Sequence, residues 1–287
     1  MTLKATLSIV AASLLALCAC GTAKKAAPAT AEPVKHNFPV IEQQGKTAIV
    51  AHRGFWKCAA AGFAQNSIAS LREAQAHGLW GSECDIHLTS DNVILVHHDE
   101  TIHGVDIQKN PYAAFEAHRL KNGEPVPTLD QYLTQAEESD KTVLIIELKP
   151  HYAQDREDLL VDLTLKAVKE HGLLSPSRVV FISFSKHICD LLAARCPEFV
   201  NQYLEGDISP EDLAKDAING FDYEQDVILG DGSIVARAHA LGMSTNAWTV
   251  NGEEKMKKLI DLGIDAITTN EPLLLRELLD AKEFKNK

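Results

Sequence analysis

The sequence predicts an α/β fold, a single (β/α)8 barrel, on two observations. Short β-branched or apolar runs recur eight times beyond residue 45, each ending in polar residues, and helical patterns separate most of them. The length agrees as well. Of 287 residues, about 45 read as signal and tether, and the remainder suits a barrel, which takes about 250 residues as one unit. A doubly wound open sheet is the competing architecture, but no Gly-rich fingerprint follows the first strand.

The N-terminus reads as an address. Lys4 supplies a positive n-region, and the run from Ala5 to Ala19 is almost wholly apolar. At about fifteen residues it matches a secretory h-region and falls short of the roughly 20 needed for a helical membrane span. It ends Leu17-Cys18-Ala19-Cys20-Gly21, which resembles the lipobox of bacterial lipoproteins, with Cys20 as the lipidated residue. The alternative is an ordinary cleaved signal. Residues 20–45 are rich in Ala, Lys, Pro and Thr without an apolar period and read as a flexible tether. The expected organisation is therefore a signal peptide at 1–19, a tether at 20–45 and a barrel domain at 46–287. Its expected location is the bacterial cell envelope, at the periplasmic or outer-membrane face, with the membrane reached through a lipid anchor.

The strands are expected at 47–52, 81–87, 142–148, 178–184, 199–204, 220–223, 243–250 and 265–269. Helical periodicity falls at 67–77, 129–138, 155–171, 186–196, 234–241 and 253–262. Ser90-Asp91-Asn92 is a turn signal, so 93–96 reads as a short hairpin arm added after the second strand. Residues 100–127 carry Gly and Pro without a clear period and read as a loop excursion over the barrel mouth.

Composition narrows the function. Hydrophobic residues at 45% and charged residues at 24% are ordinary for a globular chain. With 28 Lys and Arg against 40 Asp and Glu, a net charge of −12 offers no footprint for nucleic acid. Cys58, Cys84, Cys189 and Cys196 show no zinc spacing and read as free thiols.

Polar residues gather at the strand ends, where barrels of this class carry their chemistry. Glu83 and Asp85 are two apart on one strand and so share a face, as do Glu147 and Lys149 on another. Inward carboxylates are costly unless paired or metal-bound, and three of them without thiolates suit a hard cation such as Ca2+ or Mg2+. A structural network remains open, in which Lys149 neutralises Glu147 and solvent keeps Glu83 wet. Of the twelve histidines, His52 ends the first strand before Arg53-Gly54, and His98 ends the hairpin before Asp99. Two imidazoles beside a cation and a guanidinium make an acid–base pair at a phosphate site. His97 is expected to face away from His98, as strand neighbours do.

These residues also carry a resemblance. His52-Arg53-Gly54, Gln65-Asn66-Ser67, Glu83-x-Asp85-x-x-Leu88-Thr89, Val96-His97-His98-Asp99, Glu147-Leu148-Lys149, Ala247-Trp248-Thr249 and Ile267-Thr268-Thr269-Asn270 occur in register. In this the chain resembles the glycerophosphodiester phosphodiesterases, TIM barrels of the phosphoinositide-phospholipase-C-like superfamily. The resemblance implies that Glu83, Asp85 and Glu147 bind a divalent cation and that His52 and His98 are the acid–base pair. It implies that Arg53 and Lys149 hold phosphate, that Trp248 and Phe184 line the glycerol side, and that Gln65, Asn66 and Asp99 support the site. The implied reaction is hydrolysis of a small glycerophosphodiester to sn-glycerol 3-phosphate and an alcohol, by way of a cyclic phosphate made by the glycerol 2-hydroxyl. A lyase that stops at the cyclic phosphate and a non-catalytic phosphodiester-binding lipoprotein are the alternatives. Two positions depart from the family pattern: Gln65 replaces the usual Glu, and Asn270 replaces a frequent Asp.

Overall fold

The computed structural model describes residues 47–285. The expected signal peptide, tether and lipidated Cys20 lie outside the described residues. Eleven short strands alternate with nine helices among the described residues. In chain order these begin with β1 (Ala48–Ala51), α1 (Ile68–Ala76), β2 (Gly81–Leu88) and β3 (Ile94–Val96). A two-residue pair, β4 (Thr101–Ile102) and β5 (Val105–Asp106), precedes α2 (Leu129–Ala136), β6 (Val143–Leu148) and α3 (Gln154–Glu170). Then come β7 (Val179–Ser183), α4 (Lys186–Arg195), β8 (Asn201–Tyr203), α5 (Pro210–Lys215), β9 (Gly220–Glu224) and α6 (Gln225–Gly230). The chain finishes with α7 (Ile234–Ala240), β10 (Ser244–Trp248), α8 (Glu253–Asp261), β11 (Ala266–Thr269) and α9 (Pro272–Lys285).

Eight of these strands close a parallel barrel in the order β1, β2, β6, β7, β8, β9, β10, β11, and β11 returns to pair with β1. Followed once around the ring, the register slips by about eight residues, the stagger of a TIM barrel. β3 folds back antiparallel on the end of β2, pairing Val96 with Ile86.

Strand alternation sorts the core into two shells. Ala48, Val50, Val143, Ile145, Val180 and Ile182 point inward and fill the lower barrel. Their outward neighbours pack beneath the helices, Ile49 and Ala51 in one cluster and Cys84, Ile86, Leu144 and Ile146 in another. The helices start where side chains can satisfy their free N–H groups. Ser67 and Ser70 form a capping box on α1, and Thr128 and Gln131 form one on α2. The excursion between Asp99 and Thr128 carries a small core of its own, built from Leu95, Ile102, Ile107, Phe115 and Val126. The buried thiols Cys84, Cys189 and Cys196 are free, as is half-buried Cys58.

Candidate active site

Register explains why three carboxylates meet. Glu83 and Asp85 take inward positions of β2, and Asp85 lies beside Glu147 of β6. Each of the three offers an oxygen within 4.8 Å of the others. They are 2%, 1% and 7% exposed, so solvent does not keep Glu83 wet. Cys84, between two of them, faces outward into the helix-side core.

Two cations share this cluster. Lys149, just past β6, places Nζ 2.7 Å from Asp85 Oδ1 and 2.6 Å from Glu147 Oε1. Arg53 donates its backbone N–H to Glu83 Oε2 at 2.7 Å, and its Nε lies 3.7 Å from Asp85 Oδ2. Glu83 Oε1 is buried without a partner. Three carboxylates against two cations leave negative charge uncompensated. Burial, with the neighbouring Asp85 and Glu147 charges, pushes the Glu83 carboxyl well above its ordinary range. Glu147 is pushed up to about 8, chiefly by burial, which outweighs the attraction of Lys149. Asp85 goes the other way. Burial would raise it, but Lys149, His98 and Arg53 hold it low. An all-oxygen donor set that has an orphaned buried oxygen, and two of whose carboxyls are held toward their protonated forms when no divalent cation is near, fits a hard divalent cation that would take the place of those protons.

The two imidazoles, of His52 and His98, line one cavity with Glu83 and Glu147. His52 follows β1 and donates Nδ1–H to Asn270 Oδ1 at 2.9 Å, an atom that also accepts from Trp56 Nε1 at 3.0 Å. An acceptor at Nδ1 leaves Nε2 as the basic nitrogen. Burial and the Arg53 charge lower the His52 pKa to about 4, so the ring is neutral near pH 7. The chain turns sharply here, with Arg53 at φ 57° and Gly54 at φ 77°. A Cβ on Gly54 would sit 2.3 Å from Ser70 Oγ, so only glycine fits. His98 has its Nδ1 2.7 Å from Asp99 Oδ1, and burial and Lys149 lower its pKa. His97 does not face away from it. β3 ends at Val96, so strand alternation no longer applies, and both histidines border the same cavity.

The supporting residues take defined places. Gln65 Oε1 accepts from Arg53 Nη1 at 2.7 Å, so Gln65 positions the guanidinium. Asn66, at φ 52°, donates Nδ2–H to Asp85 Oδ2 at 2.8 Å and accepts the Asp85 N–H at 3.2 Å. Phe184 and Trp248 meet edge to face with centroids 5.5 Å apart. They wall an inner cavity of about 140 Å3, into which His52, Glu83, Glu147 and Lys149 also project. An outer cavity of about 350 Å3 lies beside it, and Arg53 and His98 belong to both.

Three further residues of the mouth have roles that the sequence reading does not assign. His87 continues the inward alternation of Glu83 and Asp85, and its Nε2 donates to the His98 carbonyl at 3.1 Å. Period two would have found it. Asp222 of β9 faces the inner cavity with Oδ1 unpartnered, and burial and Glu147 raise its carboxyl strongly. It reads in sequence as a strand end. Asn270, visible in sequence only as a departure, orients His52.

Residues 52–274 match the glycerophosphoryl diester phosphodiesterase family. A glycerophosphodiester phosphodiesterase of Caldanaerobacter subterraneus subsp. tengcongensis is 27% identical, over 82% of this chain and 98% of its own length. Among solved structures, a glycerophosphodiester phosphodiesterase from Parabacteroides distasonis superposes with a TM-score of 0.80 at 39% identity, covering 83% of this chain and 98% of that one. An Oleispira antarctica phosphodiesterase, solved in complex with its product sn-glycerol-3-phosphate, gives 0.69 at 25% identity, covering 82% and 97%.

Proposed function

Because the chain belongs to the glycerophosphoryl diester phosphodiesterase family, we propose that it hydrolyses glycerophosphodiesters to sn-glycerol 3-phosphate and an alcohol at this mouth. One observation carries the reading. Glu83, Glu147, two imidazoles and a guanidinium line a single cavity at the C-terminal ends of the strands, and buried Asp85 brings an oxygen within 4.8 Å of both glutamates.

Glu83, Asp85 and Glu147 hold the divalent cation, Ca2+ or Mg2+, which when bound supplies Lewis acidity toward the phosphate. Arg53 forks onto the phosphate oxygens, and Lys149 adds a fixed positive charge beneath them. Glycerol lies in the inner cavity against Phe184 and Trp248. His52 lines that cavity and not the outer one, with Nε2 free to take the proton of the glycerol 2-hydroxyl as it attacks phosphorus. His98 stands where the two cavities join and protonates the departing alkoxide. Water then opens the cyclic phosphate with the two histidines exchanging roles, His98 taking the proton of water and His52 returning one to the 2-oxygen.

Export and anchoring through lipid on Cys20 belong to the same proposal, supported by Lys4, the apolar run that follows it and the Leu17-Cys18-Ala19-Cys20 junction. The test of the activity is release of glycerol 3-phosphate from a panel of glycerophosphodiesters, with and without chelator. Release that the chelator stops supports the reading. Accumulation of the cyclic phosphate in phosphorus NMR would instead make the chain a lyase.

A further inference from the structure

The two cavities at the mouth are chemically unlike. The inner one is small and walled by an aromatic pair that Trp248 locks by donating its indole N–H to the Asp222 carbonyl at 2.9 Å. The outer one is larger and is edged by Trp56, Phe63, Gln65 and Asp99 from the barrel loops and by Lys121 from the excursion. A phosphodiester has two alcohols, and a phosphate held at Arg53 and His98 directs one of them into each cavity. This inference rests on the functional reading above and deepens it.

Phe63 is the informative residue of the outer rim. It is 45% exposed and holds a left-handed φ of 57°, which bulky side chains rarely adopt. Strain of this kind persists where surrounding structure imposes it, and it clusters at ligand sites. Here the left-handed turn continues from Gly62 at φ 62°, and Asn122 Nδ2 donates to the Ala61 carbonyl at 3.3 Å, tying the turn to the excursion. The result presents the Phe63 ring to Lys121, whose Nζ lies 5.3 Å from the ring centroid. The π-face that would attract a ligand cation is thus already covered by a cation of the chain. Lys121 makes no ion pair among the described residues, whereas the Asp99 carboxylate is engaged by His98 Nδ1. The outer rim thus carries both the Lys121 ammonium and the Asp99 carboxylate, and of the two it is Lys121 that keeps its N–H donors free for a ligand.

We propose that the outer cavity receives the leaving alcohol, and that Lys121, seated on Phe63, makes it select alcohols rich in acceptor oxygens, polyol or carboxylate-bearing, over those with a quaternary ammonium. A trimethylammonium group would meet Lys121 as a like charge. A hydroxyl or carboxylate would accept from it.

The experiment compares kcat/KM for glycerophosphoinositol, glycerophosphoserine and glycerophosphocholine in the wild-type chain, Lys121→Gln and Lys121→Met. The wild type is expected to favour the first two. Both variants are expected to reduce the inositol-to-choline ratio about five- to tenfold, as loss of one charge-assisted contact in a partly open site implies. Inhibition by sn-glycerol 3-phosphate, which leaves the outer cavity empty, is expected to be unchanged. A wild type that prefers the choline ester, or variants that lower all three substrates equally, would overturn the assignment of the outer cavity. A wild type that hydrolyses none of the three would overturn the functional reading, and this inference with it.

Discussion

Replacing Asn66 by alanine separates two physical contributions that meet at one residue. Asn66 is buried, holds a left-handed backbone and clasps Asp85 through both amide atoms, at 2.8 Å to Oδ2 and 3.2 Å from the N–H. Losing the bond to a carboxylate costs about 1.5–3 kcal/mol, and losing the bond to a buried N–H about 0.5–1.5 kcal/mol. A left-handed alanine adds about 1–2 kcal/mol, which asparagine tolerates better and glycine does not incur. Asn66→Ala should therefore lose about 3–6.5 kcal/mol, and Asn66→Gly about 2–4.5 kcal/mol. Urea unfolding at fixed metal concentration, with slopes compared to confirm two-state behaviour, measures both. Calcium titration should show weaker binding in each variant, because Asp85 is no longer aimed. Equal losses in the two variants would refute the backbone contribution. A loss under about 1 kcal/mol in Asn66→Ala would refute the claim that the clasp matters.

Other outcomes follow from the same geometry. His52→Ala and His98→Ala should each lower kcat at least about 10²-fold with the circular dichroism spectrum unchanged, while His97→Ala, whose side chain borders the outer cavity but not the inner one, is milder; near wild-type turnover in either of the first two removes that residue from the acid–base pair. EDTA should abolish activity and Ca2+ or Mg2+ restore it, with Asp85→Asn and Glu147→Gln raising the metal concentration needed; full activity in metal-analysed apoprotein would contradict the role of the carboxylates. In the apoprotein, Glu147 is raised from its ordinary range to about 8, so its neutral form favours folding and that stability is lost as pH rises from about 4.5 through about 8. A bound cation reverses this loss, so the thermal shift on adding Ca2+ should be larger at pH 8.5 than at pH 6, and a shift independent of pH would argue against a buried, partly protonated site. Cys20→Ala should move the protein from the membrane fraction to the soluble fraction without loss of activity, whereas high salt should not detach the wild type.

The barrel was legible because each of its strands buries both faces. Runs such as Val143–Leu148 and Val179–Ser183 carry β-branched residues that a half-exposed strand would not need. The short helices α5 and α6 were not singled out, since six residues give too little periodicity to read. The excursion hid its own core, because Ile102, Ile107, Phe115 and Val126 meet through turns and a two-residue strand pair rather than through any fixed spacing. At the site, Glu83 and Asp85 are legible as charges inside apolar runs, but His87, two positions on, carries no such contrast in a chain with twelve histidines. Asp222 and Asn270 owe their roles to strands that lie close only once the ring is closed, and no local pattern marks that.

Closure of the ring also sets when the site comes into being. His52 and Asn270 are 218 residues apart in the chain, and they meet across the seam where β1 pairs with β11. Contacts of such long separation form late, after the chain has met the entropy of closing its largest loop. A chain folded as far as β10 would already hold all three carboxylates together, with Lys149 between two of them. It would lack the carbonyl that fixes the His52 ring and the indole of Trp56 anchored beside it. The metal cage therefore depends on β2 and β6 alone, whereas the orientation of the base depends on the seam between β1 and β11.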